Sequence, residues 1–370
     1  MSARYLRRAA GIVLAMPAAA APLRSQMTLG GPHRLEMAPV FESWRFASPT
    51  PDSIKSARQI SLPLIGSLAL GSTWRLDGYT AYSWGQVVLE EGGRKQMVEL
   101  RGLADAKLRA GARLHGDDLL ATFGLNVPIG KTGLTPGELR AARVLGAPAL
   151  RFQTPGLGHG PGGTAGLVGA RQLGETTVGA GVSLEYRGSY APVDAAMLGV
   201  STLDPGQAIR FSVGADRLVG QSRLEISLSS TVYGAERLTR TQGGGTSALR
   251  PGATWISELH YELASAWLDE GSLFAYDHYR SSYRTESGRV VAGTTGNELD
   301  VGGMGLHRLG GGTALLAGVT GRWHTGLKVD ETLATAAVLS AGAQLGLAVG
   351  AGTMQVRPMI GGEYGTFDSG

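Results

Sequence analysis

The stretch VELRGLADAKLRAGARLHGDDLLATFGLNVPI, residues 98–129, decides the fold. From residue 98 to residue 114, apolar or small residues occupy the even positions and charged residues recur at the odd positions. Successive side chains of a β-strand point to opposite faces, so this alternation predicts one long strand with an apolar face and a polar face. His-Gly-Asp-Asp at residues 115–118 then makes a turn, and the alternation resumes in the opposite sense over residues 119–129. The stretch predicts two long antiparallel strands around a tight turn.

The length of these two strands favours a membrane location. Strands of globular domains usually have about five or six residues, whereas a tilted strand needs about nine to eleven residues to cross a bilayer. The chain also has 58 glycines among 370 residues, about twice the ordinary usage. Glycines that recur within strands suit a curved barrel wall. A soluble sheet would show the same alternation, so the hairpin alone leaves that alternative open.

Similar alternating segments recur along the chain. Short turns alternate with longer polar or Gly-rich loops at residues 188–206, 235–251, 285–297 and 325–331. This asymmetry is typical of outer-membrane barrels, which have short periplasmic turns and long extracellular loops. We therefore predict an all-β fold: an antiparallel up-and-down transmembrane β-barrel of about 14–16 strands over residues 58–370. An N-terminal segment, residues 22–57, precedes it and holds a possible first strand at residues 35–46.

Tryptophan positions agree with this prediction. Trp74 and Trp84 are ten residues apart, and Trp255 and Trp267 are twelve apart. In a tilted strand these separations correspond to roughly 23–28 Å along the membrane normal. We expect the membrane-interface aromatic residues to be Trp74, Trp84, Trp255, Trp267 and Trp323. Two core tryptophans of a soluble sandwich are the alternative.

The alternating segments indicate fifteen strands, which is an odd number. A bacterial barrel with both ends in the periplasm needs an even number. A final strand that returns and pairs with the first would leave no edge exposed to lipid, and no segment near the C-terminus predicts one. We expect either that a last strand is missing or that the weakest assignment, at residues 35–46, is wrong.

The N-terminus predicts export. Arg4, Arg7 and Arg8 precede an apolar run at residues 9–21, in which Ala18 and Ala20 offer a cleavage site. This is the layout of a signal peptide covering residues 1–21; an ordinary buried helix is the alternative. Its removal leaves 31 of 34 basic residues against 30 acidic ones, so the charge makes no case for nucleic-acid binding. The predicted location is the outer membrane of a diderm bacterium.

Charged residues on the polar faces are expected to line the lumen. They are Glu99, Arg101, Asp105, Lys107, Arg109, Glu258, His260, Glu262, Arg322, Arg357 and Glu363, with His324 beside them. Charged groups that face water inside a barrel are a normal feature of such proteins. Because both signs are present, the set predicts either a selective pore lining or a salt-bridged filling that closes the barrel.

A long insertion follows the opening hairpin, at residues 131–163. Within it, Thr135-Pro136-Gly137-Glu138 combines a capping box with a proline at the first helical position, which predicts a short helix to about Leu145. The helix, or the N-terminal segment, is a candidate plug or gate. A helix on a surface loop is the equal alternative.

Catalytic and cofactor motifs are weak. Gly130-Lys131-Thr132 resembles the end of a phosphate-binding loop, but Leu125 stands where that loop requires glycine. Gly158, Gly160 and Gly163 match a dinucleotide pattern without a following helix. Asp277-His278 is a possible acid–base pair. The absence of cysteine removes disulfides and thiolate chemistry. We predict no enzyme activity, no metal and no cofactor.

Two segments carry a resemblance to a known family. They are RQISLPLIGSLALGSTWRL, residues 58–76, and FGLNVPIGKTGL, residues 123–134; the Gly-rich entry to a paired strand at residues 158–186 fits as well. Over about residues 58–230 the chain resembles the outer-membrane transporters grouped under the phenol meta-cleavage pathway, distant relatives of the long-chain fatty-acid (FadL-type) channels. The resemblance implies a barrel that passes small, hydrophobic molecules and supplies no catalytic residues.

The sequence thus predicts a passive outer-membrane channel for small apolar solutes. Its expected partners are the lipid of the outer membrane, the solute and the barrel-assembly machinery, with no nucleic acid. Two other classes stay open: a barrel enzyme that acts on lipid or peptide through His278, and a secreted soluble β-protein.

Overall fold

The computed structural model describes residues 7–15, 34–37, 39–47, 53–114, 118–147, 150–154, 156–193, 200–240, 245–265, 267–327, 336–351 and 354–369. In these ranges the chain is almost entirely β-structure, with one 19-stranded sheet, one four-stranded sheet and the helix α1 (Pro136–Leu145). None of the helices in the described ranges is both long and apolar enough to cross a membrane.

The larger sheet forms the wall of the molecule. Its strands are β1 (Arg7–Ala15), β2 (Arg34–Met37), β3 (Val40–Ala47), β4 (Ser53–Leu70), β5 (Trp74–Glu91), β6 (Arg94–Leu103), β7 (Ala106–Leu114), β8 (Leu119–Val127), β9 (Gly162–Leu173), β10 (Thr176–Arg187), β12 (Ala208–Val219), β13 (Ser222–Tyr233), β16 (Thr254–Leu263), β17 (Glu270–Arg280), β19 (Gly296–Gly310), β20 (Thr313–Leu327), β21 (Ala336–Ala351), β22 (Met354–Val356) and β23 (Met359–Ser369). The smaller sheet consists of β11 (Val200–Asp204), β14 (Glu236–Arg240), β15 (Thr246–Arg250) and β18 (Arg284–Thr285).

Neighbouring strands of the wall pair antiparallel in chain order. Three positions in the wall are each shared by two strands, because β2 and β3 both pair with β4, β6 and β7 both pair with β5, and β22 and β23 both pair with β21. Nineteen strands minus these three duplicates give sixteen wall positions among the described residues. The predicted fold class, an antiparallel up-and-down β-barrel of about 14–16 strands, is confirmed.

The sixteenth wall position is occupied by β1. This strand pairs with β23 through Arg7–Val13 and with β3 through Arg8–Ala15. It therefore connects the last strand of the wall with the strands at its beginning. It lies within the predicted signal peptide, of which residues 1–6 and 16–21 fall outside the described ranges. The weak strand expected at residues 35–46 is present as the two strands β2 and β3. Cleavage of residues 1–21 stays a prediction.

The long strand expected at residues 98–114 is two strands, and the prediction that its even residues share one face is wrong. Val98 pairs with Val87 and Lys107 pairs with Tyr79. Because Val87 and Tyr79 lie an even number of residues apart on β5, Val98 and Lys107 face the same side of the wall. A β-bulge at residues 104–105, both buried, switches the alternation between β6 and β7.

The two ends of the wall differ. At one end, which we call the short-turn end, tight turns join β4 to β5, β9 to β10, β12 to β13 and β19 to β20, with left-handed glycines such as Gly174 (φ 64°) and Gly220 (φ 64°). The other end, the long-loop end, carries the four-stranded sheet and the insertion, which the structure bounds at residues 128–161 instead of the predicted 131–163. Strands β11, β14 and β15 of that sheet lie inside segments that the sequence predicts as loops, and β18 lies at the start of another.

Candidate functional site

The wall has an apolar outer face. On β8, Phe123 and Leu125 are 51% and 54% exposed and point away from the insertion, whereas Thr122 and Asn126 point toward it. The same arrangement recurs on β12 with Phe211 and on the other long strands. Exposure of so many leucine, valine and aromatic side chains on one face would be unfavourable in water, whereas such a face suits contact with lipid tails.

The predicted interface tryptophans lie at two levels. Trp74 begins β5 and Trp267 lies in the β16–β17 connection, both at the short-turn end. Trp255 is the second residue of β16 and Trp323 lies near the end of β20, both toward the long-loop end, and Trp84 lies on the outer face of β5. Their role as membrane anchors stays a prediction.

The insertion folds into the barrel and packs against the inner face of β3 to β6. Helix α1 begins at the Thr135 N-cap with the predicted capping box and ends at Leu145, which confirms the helix. Its Val144 and Leu145 are buried against Val87, Val98 and Leu100 of the wall. Of the two alternatives for this helix, the structure supports one inside the barrel and contradicts one on a surface loop.

A glycine makes room for the helix. A Cβ atom placed on Gly85 of β5 would lie 2.3 Å from Leu145 Cδ1. Any larger residue at this position would push α1 away from the wall, because real Cβ atoms do not approach other atoms so closely.

Polar side chains anchor the insertion at four points. The Asp105 carboxylate accepts hydrogen bonds from the backbone N–H groups of Gly130 (2.9 Å) and His159 (2.7 Å) and from Asn126 Nδ2 (2.9 Å). On the other side, Gln59 exchanges two hydrogen bonds with the backbone of Thr154, of 2.8 and 2.9 Å. The two further anchors are Trp44 Nε1 donating to the Leu150 carbonyl (2.9 Å) and Glu42 accepting from the Gln153 N–H (2.7 Å). These hydrogen bonds therefore fix the insertion to the inner face of the barrel wall.

A charged cluster joins the insertion to strands β19, β20 and β23 of the wall, and we call it the Asp300 cluster. It consists of Arg151 on the insertion, Glu298 and Asp300 on β19, Arg322 and His324 on β20 and Glu363 on β23. Arg151 forms an ion pair with Asp300. Arg322 binds Glu363 at 2.9 Å, and His324 Nε2 lies 3.2 Å from Asp300 Oδ1. The buried carboxylates are thus matched by guanidinium and imidazole groups, as buried charges require.

Arg151 is held under strain at this point. Its φ of 50° is the single positive value at a non-glycine residue among those described. Burial, and to a smaller extent the charge of Arg322, lower the pKa of Arg151 to about 10 against the opposite effect of nearby glutamates. Arg151 therefore stays charged at neutral pH. Sequence analysis missed Arg151, Asp300 and Glu298, although the alternation of Glu298 and Asp300 with Leu299 and Val301 was a usable signal.

Most predicted lumen residues lie on the inner face. Lys107 and Arg109 are paired with inner-face residues of β5, and Asp105 holds the insertion. The inner face also carries Glu258, His260, Glu262, Arg322 and Glu363. Arg357 lies between β22 and β23. That these side chains line a conducting pore stays a prediction.

Glu99 and Arg101 lie on the outer face instead. Arg101 is paired with Trp84 and Glu99 with Gln86, whereas Val98 and Leu100 on the other face are covered by the insertion. The bulge at residues 104–105 causes this difference, because it reverses the alternation before Lys107. We therefore leave Glu99 and Arg101 out of the proposed lumen.

Open space lies along the inner wall of β10 to β16. A cavity of about 350 Å³ is lined by small residues, such as Gly179, Ser212 and Gly214, and by Glu225, Glu258 and His260. Ser227 donates a hydrogen bond to Glu258 (3.2 Å), and the buried Nδ1 of His260 has no partner among the described residues. Small side chains here leave open space against the inner wall.

The proposed acid–base pair of Asp277 and His278 does not form. Adjacent residues of β17 point to opposite faces, so Asp277 accepts a hydrogen bond from Asn297 while His278 Nδ1 lies 3.7 Å from Glu298. Gly158 and Gly160 are followed by strand β9 and by no helix, as expected. In the described ranges, histidines and carboxylates form no group of three that could hold a metal ion.

Comparisons with known proteins give structural likeness at low sequence identity. No protein-family model and no curated protein matches the chain. An anion-selective porin from Comamonas acidovorans matches with 13% identity, 100% of this chain, 99% of its own length and a TM-score of 0.33. An outer membrane channel from Pseudomonas putida F1 matches with 8% identity, coverage of 100% and 96% and a TM-score of 0.36. Pseudomonas aeruginosa OccK2 in complex with glucuronate matches with 8% identity, coverage of 98% and 95% and a TM-score of 0.38.

Proposed function

We propose that the chain is a passive channel of the bacterial outer membrane. The observation that carries the proposal is the two-faced wall, with exposed apolar side chains outside and a hydrogen-bonded, charged interior. A barrel of this kind satisfies its backbone within the wall, which is the requirement for crossing lipid with strands. Insertion would depend on the barrel-assembly machinery, in keeping with the predicted export signal.

The insertion is the proposed constriction of this channel. It occupies the inner face of β3 to β6 and reaches β19 through the ion pair of Arg151 and Asp300. The space left for solutes then runs along the wall of β10 to β16, where the small side chains of Gly179, Ser212 and Gly214 leave room. Solutes would pass between this wall and the insertion.

Two solute classes are candidates. The resemblance to transporters of the phenol meta-cleavage pathway supports small apolar molecules. The inner-face charges support small polar or charged solutes instead, because Lys107, Arg109, Glu258 and Glu262 would each have to be passed. An apolar solute gains nothing from such groups, whereas a charged one can exchange contacts with them.

Uptake into proteoliposomes tests the proposal. Protein-dependent entry of a small aromatic solute, and not of a sugar of similar size, would support the apolar class; the reverse would support the polar class. Equal rates with and without protein, from a chain shown to be folded and inserted, would contradict the channel. Hydrolysis of lipid or peptide that is lost in His278→Ala would favour the enzyme alternative, and a mature chain that dissolves without detergent would favour the soluble one.

A further inference from the structure

The outer face of the wall carries basic residues around Trp84. Arg58 on β4 lies with its Cζ 5.5 Å from the centre of the Trp84 ring, and Arg101 on β6 is paired directly with Trp84. Arg45 on β3 lies on the same face, one strand further along. We call Arg45, Arg58, Trp84 and Arg101 the Trp84 patch.

The charges of this patch are not neutralised by the protein. Among the described residues, the arginines at positions 45, 58 and 101 form no ion pair with a carboxylate, and all three are exposed. The acidic residue nearest the patch in register is Glu99, which accepts a hydrogen bond from Gln86 (2.9 Å), and Glu90 further along β5 is paired with Lys55. Neighbouring like charges repel one another, so three arginines on β3, β4 and β6 without a carboxylate partner favour an anionic partner.

The patch lies on the outer face, on the long-loop side of a group of exposed apolar side chains. Two residues toward the short-turn end, three of the four strands present an exposed apolar side chain: Ile60 after Arg58 (44% exposed), Tyr82 beside Trp84 (47%) and Leu103 after Arg101 (46%), whereas β3 presents Ser43. The patch thus marks the level at which lipid tails end and headgroups begin. Tryptophan prefers this level because its ring is apolar and its N–H is polar.

We propose that the Trp84 patch binds the phosphate of an anionic lipid headgroup on the side of the long loops. The planar guanidinium groups of Arg58 and Arg101 match two oxygens of a phosphate, and Trp84 between them lies against the acyl-chain boundary. The proposal rests on the location in the outer membrane, but it concerns the outer face and is independent of conduction. It also gives a role to Arg101, which the sequence assigns to the lumen.

Lipid binding by the full chain tests the proposal. The detergent-solubilised protein is titrated with lipid A that carries two phosphates, and separately with lipid A from which both have been removed, and bound lipid is counted by native mass spectrometry. The wild type should prefer the phosphorylated form. Arg58→Gln with Arg101→Gln should weaken its binding by about 30-fold, from about fivefold for each basic residue near an anionic surface. Arg58→Lys with Arg101→Lys should give an intermediate loss, because charge without the planar group binds phosphate through a single point.

The matched control removes the same charge from the other face. Lys107→Gln with Arg109→Gln lies on the next strand segment and points inward, so it should leave lipid binding unchanged. Equal binding by the wild type and the outer-face glutamine variant would overturn the proposal, as would equal binding of the two lipids. Competition by inorganic phosphate in molar excess would show a free-anion site and would also overturn it.

Conductance of the same preparations separates this inference from the proposed function. A wild-type chain that conducts but binds both forms of lipid A equally would overturn the lipid site alone. Lipid discrimination in a chain that inserts without conducting would support the lipid site and contradict the channel. Failure of the wild type to insert into any bilayer would overturn both.

Discussion

Val98 and Lys107 face the same side of the barrel wall, although they are nine positions apart in sequence and an unbroken strand would place them on opposite faces. Val98 is paired with Val87 and Lys107 with Tyr79, and β5 runs without interruption between these partners. The bulge at residues 104–105 takes up the extra residue and aims Asp105 at the insertion. A single irregularity therefore decides which charges lie on the inner face of the wall and which lie on the outer face.

Asp105→Asn should loosen the insertion. The carboxylate accepts three hydrogen bonds at a position that is 2% exposed, and an amide would place N–H groups against N–H donors. A cost of about 2 kcal/mol is expected for unsatisfied buried donors. Cleavage of the insertion in limited proteolysis should become about 30-fold faster. Glu270→Gln, which changes an exposed pair with Arg308, is the control and should leave the rate unchanged. Unaltered cleavage of Asp105→Asn would show that the insertion is held by other contacts.

Gly85→Ala should displace helix α1. Its new Cβ would lie 2.3 Å from Leu145 Cδ1, and overpacking of this kind costs about 1–3 kcal/mol. Hydrogen exchange of the α1 amides should accelerate, and the double variant Gly85→Ala with Leu145→Ala should restore part of the protection. Gly66→Ala on β4 is the matched control, because its Cβ would meet no atom within 4 Å. Protection of α1 that is equal in both glycine variants would rule out the close packing.

Glu138→Gln should destabilise α1 at neutral pH but not in acid. Burial alone would raise the pKa of Glu138, but the hydrogen bond and charge of Lys131 and the hydrogen bonds of Thr135 outweigh it, and the pKa is lowered from 4.5. A lowered pKa means that the stabilising contribution is present above pH 4.5 and lost as the pH falls through the folded-state value. The expected difference is about 1 kcal/mol at pH 7. Hydrogen exchange of α1, corrected for intrinsic rates, measures it. A difference that persists well below pH 4 would contradict the charged interaction.

The processed protein should lack residues 1–21, and its intact mass should match a chain that begins near Pro22. Removal of β1 would leave one edge of β3 and one edge of β23 unpaired, so in lipid these edges must pair with each other or with another strand. Ser43 and Gly362 are both paired with Ile12 and lie two strand spacings apart, about 10 Å, while β1 is present. Ser43→Cys with Gly362→Cys in this cysteine-free chain should form a disulfide once β1 is gone. An intact mass that includes Arg7–Ala15, without the disulfide, would establish β1 as part of the wall.

The strands and the helix could be predicted because their signals are local. Alternation over eight or more residues marks β8, β10 and β21, and the Thr135 capping box marks α1. The bulge could not be predicted, since Ala104 and Ala106 fit either face equally well. The position of the insertion depends on contacts across more than ninety residues of sequence, such as Gln59 with Thr154, and no local pattern carries that information.

Single-channel conductance of Lys107→Gln and Arg101→Gln in a planar bilayer tests the central claim most directly. Both variants remove one positive charge from the same stretch of chain, but Lys107 lies on the inner face of the wall and Arg101 on the outer face. We predict discrete open levels for the wild type, a shifted conductance and ion selectivity for Lys107→Gln, and wild-type values for Arg101→Gln. A shift in Arg101→Gln with none in Lys107→Gln, or a folded and inserted wild type that never conducts, would contradict the account.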